Sequence, residues 1–332
     1  MASFSISGNL VDVHQQRIYP AELTVDNGKI ISIKEISHSS LTNPHFLLPG
    51  FIDSHVHIES SMLVPSEFAR LAVVYGTVAT VSDPHEIANV CGLEGVEFMI
   101  ENGKTVPFKF NFGAPSCVPA TIFETTGAIL DSADVEKLLQ REEIKYLSEM
   151  MNFPGVLFGD EEVYKKIASA KKYGKPVDGH APGLRGDAAK KYIDAGISTD
   201  HECFTKEEAL DKLRFGMKIL IREGSAARNL SELKNLIRTN PDMVMLCSDD
   251  MHPETLIKRH LDKIITQLLS EGYDLFNVLR SCTLNPAVHY SLNAGLLQKG
   301  QPADFVLINN YLEMNILETW IEGKKVYDRG RI

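Results

Sequence analysis

The sequence predicts an α/β protein: a (β/α)₈ barrel of the TIM type with a small β-sandwich formed by both chain ends. Three features of the 332-residue chain support this prediction. Between about residue 48 and residue 293, short apolar runs alternate eight times with helical stretches. Eight β-then-α units in that length match a TIM barrel, which typically takes about 250 residues. Both chain ends are rich in strand signals and are expected to pair with each other.

Eight candidate strands define the predicted barrel. They cover residues 51–55, 78–82, 108–112, 144–149, 176–180, 197–201, 218–222 and 243–248. Apolar spacing predicts helices at 135–140 and 162–173, and the capping box Thr205-Lys206-Glu207-Glu208 predicts a helix start. The main rival is a doubly wound open sheet. We disfavour it because such sheets usually have fewer strands and no G-x-G-x-x-G loop follows the first strand here.

The two chain ends predict a separate small domain. Asn27-Gly28 suits the tight turn of a hairpin between 21–25 and 30–33, because that turn needs positive φ angles. Residues 304–308 and 319–326 also have strand character. We therefore expect residues 1–47 and 304–332 to form the β-sandwich and residues 48–303 to form the barrel.

Composition and charge narrow the class of protein. Hydrophobic residues make up 44% and charged residues 23% of the chain, as in ordinary globular proteins. The formal net charge of -10 argues against nucleic acid or an anionic membrane as a partner. We find neither an apolar run long enough for a membrane span nor a signal-peptide pattern. The five widely spaced cysteines argue against a disulfide framework or thiolate zinc site and favour a cytoplasmic location.

Histidine, aspartate and glutamate residues cluster where the predicted barrel strands end. In a barrel all these ends face one side, and that side carries the active site. The clusters are Asp53-Ser54-His55-Val56-His57, Ser148-Glu149, Asp178-Gly179-His180, Thr199-Asp200-His201-Glu202 and Ser248-Asp249-Asp250, after strands one, four, five, six and eight. Residues far apart in the sequence can therefore meet around one ion.

The His55-x-His57 pair has a direct interpretation. Positions i and i+2 of a strand face the same way, so both imidazoles can reach one metal. Alone, the pattern fits a half-buried strand with two polar side chains at least as well. His180, His201 and Asp249 at three further strand ends make a metal site the better interpretation. Imidazole together with carboxylate suits Zn²⁺, Fe²⁺ or Mn²⁺.

Glu149 and Asp249 are the carboxylates with the clearest chemistry. Two cations a few ångströms apart repel strongly, and a shared anion reduces that repulsion, so Glu149 is expected to bridge two metals. Asp249 can ligate a metal or carry a proton from an activated water to a leaving group. The competing interpretations are a capping or solvent-facing role for Glu149 and a structural cap for Asp249 or Asp250.

A series of motifs resembles the adenine deaminases of the amidohydrolase superfamily. In chain order they are Pro49-Gly50-Phe51-Ile52-Asp53-Ser54-His55-Val56-His57-Ile58-Glu59-Ser60-Ser61-Met62, Asp83-Pro84-His85-Glu86-Ile87-Ala88-Asn89-Val90, Pro115-Ser116-Cys117-Val118-Pro119-Ala120-Thr121, Met151-Asn152-Phe153-Pro154-Gly155-Val156, Asp178-Gly179-His180-Ala181-Pro182-Gly183, Asp200-His201-Glu202, Arg222-Glu223-Gly224-Ser225 and Ser248-Asp249-Asp250. The resemblance runs from about Leu48 to Asp304. It implies a barrel with a small β-sandwich and the hydrolytic deamination of adenine to hypoxanthine and ammonia.

The resemblance also implies a cofactor and its ligands. Two divalent ions are expected, Mn²⁺ or Fe²⁺, with Zn²⁺ as a further option. The implied metal ligands are His55, His57, His180, His201 and Asp249, with Glu149 as the bridge.

The residues expected to act in catalysis and substrate binding lie on the same face of the predicted barrel. The expected catalytic residues are Asp249, Glu149 and Glu202, with Glu86 as an alternative to Glu202 for protonating the purine ring. Purine contacts are expected from His85, Glu86, Ser116, Arg222, Glu223, Ser225 and Asp250. An ion pair between Arg222 and Glu223 that holds loops is an equally good interpretation of those two residues.

The sequence departs from the family pattern in three places. Family members usually carry a further C-terminal domain, whereas this chain stops at Ile332, as in a short form or a truncated chain. Met251 stands where a basic residue is more usual, and Arg259-His260 replaces a more usual Gly-His. Another purine, a methylated adenine or a cyclic amide therefore remains an alternative substrate.

Two other classes of function are disfavoured. A barrel that only binds a ligand or partner would have lost metal ligands, yet all six candidate positions are filled. A nucleic-acid deaminase would carry an H-x-E with a P-C-x-x-C zinc motif, which this sequence lacks. The expected partner is a small purine, with neither nucleic acid nor membrane, and analogy with the family predicts a homo-oligomer.

Overall fold

The structure is a computed structural model that describes residues 3–41, 44–121 and 123–332. Its strands are β1 (Phe4–Asp12), β2 (Arg17–Asp26), β3 (Lys29–Glu35), β4 (Phe46–Pro49), β5 (Phe51–His57), β6 (Thr77–Ser82), β7 (Lys109–Ala114), β8 (Ile144–Met150), β9 (Val177–Gly179), β10 (Thr199–Asp200), β11 (Lys218–Arg222), β12 (Val244–Cys247), β13 (Asp249–Asp250), β14 (Phe305–Ile308), β15 (Ile316–Ile321) and β16 (Lys324–Asp328). Its α-helices are α1 (Pro65–Ala72), α2 (His85–Gly103), α3 (Ser132–Leu139), α4 (Phe153–Phe158), α5 (Glu161–Lys172), α6 (Gly186–Asp194), α7 (Lys206–Arg214), α8 (Leu230–Leu233), α9 (Leu236–Thr239), α10 (Pro253–Leu256), α11 (Leu261–Ser270), α12 (Leu275–Ser281) and α13 (Leu284–His289). Within the described ranges, no helix combines the length and the apolar character needed to cross a bilayer.

Strands from both chain ends form one mixed sheet, as the strand signals predicted. Its order is β16-β15-β14-β4-β1-β2-β3, and β14 from the C-terminal part lies beside β4 from the N-terminal part. All neighbours are antiparallel except β1 and β4. The turn between β2 and β3 is the predicted one, with φ of 47° at Asn27 and 78° at Gly28. Positive φ at both turn residues matches the right-handed twist of the flanking strands.

The strands between the two ends are parallel and alternate with helices. One sheet has the order β13-β5-β6-β7-β8-β9 and a second has the order β10-β11-β12. Buried side chains from β6, β8, β11 and β12 share one cluster, so the parallel strands curl towards one another. The cluster consists of Val81, Tyr146, Leu220, Met245, Cys247 and Tyr290. The chain thus has an α/β fold of the TIM-barrel type.

The observed strands differ from the predicted ones mainly in length. Strands five and six are reduced to Val177–Gly179 and Thr199–Asp200. The predicted strand at 243–248 corresponds to β12, and a further short strand, β13, follows it, where the backbone of Asp249 adopts a left-handed φ of 55°. A non-glycine residue rarely adopts that conformation, and it interrupts the regular strand geometry.

The predicted helix signals correspond to α3, α5 and α7. Thr205 caps α7 as predicted, since its hydroxyl accepts the Glu208 N–H at 3.2 Å. The second half of the predicted capping box is wrong. Instead of reaching back to the Thr205 N–H, the Glu208 carboxylate accepts N–H groups of Gly183 and Phe204. The ammonium group of the buried Lys212 also donates to the Glu208 carboxylate at 2.7 Å, and this contact holds the carboxylate away from the Thr205 N–H.

A buried aspartate joins the end sheet to the parallel strands. Asp304 has no exposed side-chain surface and pairs with Lys109, the first residue of β7, at 2.7 Å. Its carboxylate also accepts the N–H groups of Gly295 at 2.7 Å and Glu322 at 2.8 Å. One side chain therefore fixes three segments that are distant in the sequence.

Replacing Asp304 by Ala should lower the free energy of unfolding by about 2–5 kcal/mol, because the N–H groups of Gly295 and Glu322 lose their acceptor and the half-buried Lys109 ammonium loses its closest carboxylate. Chemical denaturation followed by circular dichroism would measure the change. The matched control is Asp328→Ala, which removes a partly exposed aspartate 3.2 Å from Lys325 and should cost less than about 1 kcal/mol. Equal losses in the two variants would show that Asp304 does not hold the sheets together.

Candidate metal centre

Six side chains predicted as metal ligands converge at the carboxyl ends of the parallel strands. Together with Asp83, His85 and Glu202 they form overlapping groups, and within each group one nitrogen or oxygen atom per residue lies within 4.8 Å of the others. The groups are His55, His57 and Asp249; His55, Glu149 and His201; His180, His201 and Glu202; and His57, Asp83, His85 and Glu149. The parallel strands thus bring together residues from β5, β8, β13 and the segments that follow β9 and β10.

The two histidines of β5 face the same point. Their Nε2 atoms are 3.1 Å apart, and Asp249 Oδ1 lies 3.6 Å from His55 Nε2 and 3.5 Å from His57 Nε2. His57 Nδ1 lies 3.1 Å from the Asp83 carbonyl oxygen. Because a carbonyl can only accept, Nδ1 carries a proton, so in the neutral ring Nε2 would be the atom with the lone pair that a metal needs. Burial lowers the pKa of His55 to about 3, so this imidazole is neutral as a metal ligand must be.

Glu149 lies between two pairs of histidines. Its Oε2 is 2.7 Å from His180 Nδ1 and 3.0 Å from His201 Nε2. Its Oε1 is 3.6 Å from His57 Nε2 and 3.4 Å from His85 Nδ1. Burial opposes ionisation, but the surrounding imidazoles hold the pKa of Glu149 well below its usual range. Each carboxylate oxygen faces a different half of the site, which is the arrangement a bridging ligand needs.

Asp249 divides its two oxygens between two tasks. Oδ1 faces the His55 and His57 pair, whereas Oδ2 accepts a hydrogen bond from Arg222 at 2.6 Å. The left-handed backbone of Asp249 costs about 1–3 kcal/mol and is maintained by the pairing of β13 with β5. Asp250, the next residue, points elsewhere, and its Oδ1 accepts the Ser60 hydroxyl at 2.6 Å.

Arg222 lies inside the centre. Its guanidinium donates to Glu202 through two nitrogens and to Asp249 through one of them. The ion pair with Glu223 that the sequence left open does not form, because Glu223 faces Arg228 at 3.8 Å. Glu202 itself lies 3.5 Å from His201 Nε2 and 3.7 Å from His180 Nδ1. Arg222 therefore connects the Asp249 half of the centre to the His180 and His201 half.

His85 is closer to the metal cluster than the sequence indicated. Its Nδ1 lies 3.1 Å from Asp83 Oδ2, and its ring packs edge-on against His57 with centroids 4.7 Å apart. Burial alone would lower the pKa of His85, but Asp83 raises it to about 9. Asp83 had no assigned role in the sequence. The sequence signal that could have identified Asp83 is its position directly after β6, where the other strands carry their site residues.

The other residues expected to contact a purine have varied surroundings. Glu86 lines a cavity of about 230 Å³ beside His85, together with Asn89, Cys117, Ala120 and Glu124. The Ser116 hydroxyl donates to the Glu149 carbonyl at 2.5 Å, so it holds that strand end. Ser225 joins two loops, as its hydroxyl contacts Thr255 at 3.0 Å and accepts the His252 N–H at 3.0 Å.

Two further features went unnoticed in the sequence. Glu59 follows the His55-x-His57 pair, and burial raises the pKa of its carboxyl to about 7. A larger cavity of about 840 Å³ lies next to the loop after β7, with Cys117, Asn152 and Lys166 in its wall. The rest of its wall includes Thr121, Phe123 and Phe158, and none of the proposed metal ligands lines it.

Comparison with known proteins places these features in a family. The sequence pattern of the amidohydrolase family matches residues 46–326. The chain is 56% identical over 326 residues to an adenine deaminase of Methanosarcina mazei, covering 98% of this chain and 58% of that protein. It is 54% identical over 329 residues to one of Salinibacter ruber, covering 99% and 60%. The chain thus spans about three fifths of the length of these curated relatives.

Solved structures share the fold at low sequence identity. An N-acetyl-D-glucosamine-6-phosphate deacetylase from Mycobacterium smegmatis superposes with a TM-score of 0.73 at 14% identity, covering 98% of this chain and 100% of that one. An adenosine deaminase from Xanthomonas campestris with bound zinc gives a TM-score of 0.67 at 13% identity, covering 98% and 93%. With the family pattern matched over most of its length, this chain belongs to the amidohydrolase family.

Proposed function

We propose that this chain is a metal-dependent hydrolase that deaminates adenine to hypoxanthine and ammonia. The observation that carries the proposal is the position of Glu149, whose Oε1 lies 3.6 Å from His57 Nε2 and whose Oε2 lies 2.7–3.9 Å from the ring nitrogens of His55, His180 and His201. The identity of 49–56% to several proteins named adenine deaminase supports adenine as the substrate over another purine or a cyclic amide.

The donor set fits two divalent cations. Four imidazoles and two carboxylates are directed at one region, all of them buried except the half-buried His180, and they match the ligands that Mn²⁺, Fe²⁺ and Zn²⁺ accept. His55, His57 and Asp249 would hold one ion and His180 and His201 the other, with Glu149 shared between them. Bound there, the cations would lower the pKa of a water molecule towards neutrality, so that it could attack C6 of adenine.

Proton transfer is the task we assign to Asp249. Its Oδ1 faces the histidine pair and is free of Arg222, which binds Oδ2. Asp249 would accept the proton of the attacking water and return it to the departing amine. Arg222 would keep the carboxylate in one orientation through both steps.

Glu86 suits the protonation of the purine ring better than Glu202. Glu202 is bound through both of its oxygens to Arg222. Glu86 lines the 230 Å³ cavity, and burial raises the pKa of its carboxyl, so it holds a proton more readily near neutral pH. A cavity below the roughly 300–1,000 Å³ of drug-sized sites suits a compact, planar ligand. We therefore infer that adenine lies between His85 and Glu86, with its C6 towards Glu149.

We further infer that the parallel strands close into one (β/α)₈ barrel over residues 48–303. β13 continues the line of β12 and pairs with β5, where Asp249 faces Val56. On the other side, a parallel bridge joins Val177 of β9 to Ile197 just before β10. These two junctions would connect the six-stranded and three-stranded sheets into a ring.

The seven-stranded end sheet would fold over into a β-sandwich built from residues 1–47 and 304–332. The start of β3 meets the segment before β14, where the Ile30 N–H donates to the Gln301 carbonyl at 2.9 Å. Phe4 of β1 stacks on Trp320 of β15 with ring centroids 4.9 Å apart. Strands that are not neighbours in the sheet thus face each other, as the two layers of a sandwich do.

Removing metal from the purified chain should abolish adenine deamination, and adding back Mn²⁺, Fe²⁺ or Zn²⁺ should restore it with about two equivalents bound. Ammonia release and elemental analysis would measure the two quantities. If the chain binds two metals and deaminates another nucleobase but not adenine, that base is the substrate in place of adenine. A chain that binds no metal and turns over no substrate would overturn the proposal.

Glu149→Gln should lower metal-restored turnover by about 100-fold or more, because a neutral amide cannot offset the repulsion between two cations. The matched control is Glu161→Gln, which changes a side chain that is 84% exposed on α5 and should leave turnover unchanged. Wild-type turnover in Glu149→Gln at limiting metal would exclude a bridging carboxylate.

Glu86→Gln and Glu202→Gln distinguish the two candidate ring acids. Loss of the Glu86 proton donor should reduce kcat by about 10²–10⁴-fold with a small change in KM. Loss of the Glu202 charge should have a smaller effect, because Arg222 keeps its bond to Asp249. The opposite ranking of the two variants in steady-state kinetics would assign the ring proton to Glu202.

A further inference from the structure

A fully buried lysine lies behind the metal centre. Lys212, on α7, has no exposed side-chain surface. Its Nζ lies 3.0 Å from Asp200 Oδ2, 2.7 Å from Glu208 Oε1 and 2.8 Å from the Ala181 carbonyl oxygen. An ammonium group has three N–H donors, so every donor of Lys212 has an acceptor. Burial alone would lower the pKa of Lys212, but Asp200 and Glu208 raise it, so the group stays charged.

The two carboxylates of this cluster hold the loop that follows β9. Asp200 Oδ2 accepts the Ala181 N–H at 3.1 Å, and Glu208 Oε1 accepts the Gly183 N–H at 2.9 Å. With the bond from Lys212 to the Ala181 carbonyl, both polar groups of the Ala181 backbone are bound. Ala181 directly follows His180, so the cluster fixes the backbone of that histidine.

The same carboxylates hold the segment that follows β10. Asp200 Oδ1 accepts the Glu202 N–H at 2.6 Å, and Glu208 Oε2 accepts the Phe204 N–H at 3.2 Å. His201 lies between Asp200 and Glu202. Each carboxylate therefore uses one oxygen for the His180 loop and the other for the His201 segment.

The spacing of His180 and His201 depends on this arrangement. Their ring centroids are 5.2 Å apart, and both rings contact the same oxygen of Glu149. The loop and the segment that carry them are linked by Lys212, Asp200 and Glu208 rather than by a long ladder, since β10 has only two residues. A shift of a few tenths of an ångström in either backbone would move a ligand off its position.

Stability does not account for a buried charge cluster of this kind. Burying three ionised groups has a large desolvation cost, and well-packed apolar residues are often as stabilising as buried ion pairs. The cluster binds four backbone N–H groups and one backbone carbonyl at fixed positions, and apolar residues could not make these hydrogen bonds. The cluster therefore contributes geometry to the two ligands.

We propose that Lys212 is a positioning residue that sets the spacing of His180 and His201 and thereby the affinity of the metal position they share. This inference rests on the proposed metal centre. Lys212 itself contacts neither the ligand atoms nor the substrate cavity. Its effect reaches the centre through Asp200 and Glu208.

The test is Mn²⁺ binding to the metal-free chain, measured by calorimetry and elemental analysis. In Lys212→Met, the Kd of one of two Mn²⁺ equivalents should rise by about 10–100-fold, and the other should keep its wild-type value. At saturating Mn²⁺ the KM for adenine should stay at the wild-type value, since Lys212 is distant from the cavity. If the Kd values of both Mn²⁺ equivalents rise by the same factor, the substitution disrupts the whole centre and the inference is overturned.

A charge-matched variant separates metal affinity from folding. In Glu208→Gln combined with Lys212→Met, one cation and one carboxylate are removed together, so the formal charge of the cluster is unchanged. This variant should fold and still show the weakened equivalent. If both variants fold and bind two equivalents like the wild type, or if neither folds, Lys212 is a stability element and the inference is wrong.

Lys109→Met is the matched control. Lys109 also pairs with a buried aspartate, Asp304, but it begins β7 and lies at the opposite end of the strands from the metal ligands. The Lys109→Met variant should be less stable than the wild type and should bind both Mn²⁺ equivalents with wild-type affinity. A wild-type chain that binds no Mn²⁺ would overturn the proposed function. Unchanged affinities in the Lys212 variants alone would overturn only the role of Lys212.

Discussion

A carboxylate with almost no exposed surface, Glu149, lies among four imidazole rings. Its oxygens are within 3.6 Å of His57, His85, His180 and His201. An isolated buried carboxylate would be costly, and the rings reduce that cost by donating hydrogen bonds or by sharing a cation with it. Because the rings come from separate strand ends, the compensation requires parallel strands that end at one face. The α/β fold thus brings together the groups that offset the desolvation cost of burying the Glu149 carboxylate.

The surrounding contacts keep that arrangement from relaxing. Ser116 binds the Glu149 carbonyl, and the Asp83 carbonyl fixes the His57 ring. Arg222 links Asp249 to Glu202 across the centre. These partners leave the atoms that face the centre free for ligation, as contacts around metal-ligating side chains commonly do. The geometry of the site therefore depends as much on these hydrogen-bond partners as on the histidines and carboxylates that converge there.

The sequence predicted which side chains converge better than it predicted their hydrogen-bond partners, for a physical reason. Strand ends can be located from apolar periodicity, and a barrel places every strand end on one face, so the convergence of His55, Glu149 and Asp249 followed from topology. The partners depend on side-chain directions between distant segments. Arg222 lies 20 residues from Glu202 and 27 from Asp249. Local patterns equally allowed its pairing with the adjacent Glu223.

The capping box at Thr205 shows the same limit on a smaller scale. The Thr205 hydroxyl caps α7 because its acceptor geometry depends on the local backbone alone. Glu208 departs from the pattern because Lys212, one turn further along α7, forms a buried ion pair with it and a second one with Asp200. The lengths of β9 and β10 were overestimated for a related reason. Hydrogen bonds to side chains replace the ladder there, and apolar periodicity does not report them.

Substrate choice depends on which loops line the cavity. The departures from the family pattern at Met251 and at Arg259, which precedes His260, raised a doubt about strand eight. Met251 is buried in the apolar core, Arg259 pairs with Asp262, and the His260 ring contacts Thr77 at 2.7 Å. The cavity beside His85 is instead lined by side chains from the segments after β6 and β7, namely His85, Glu86, Asn89, Cys117, Ala120 and Glu124. The departures therefore adjust the packing behind strand eight, while the contacts proposed for the purine come from segments in which the family motifs are intact.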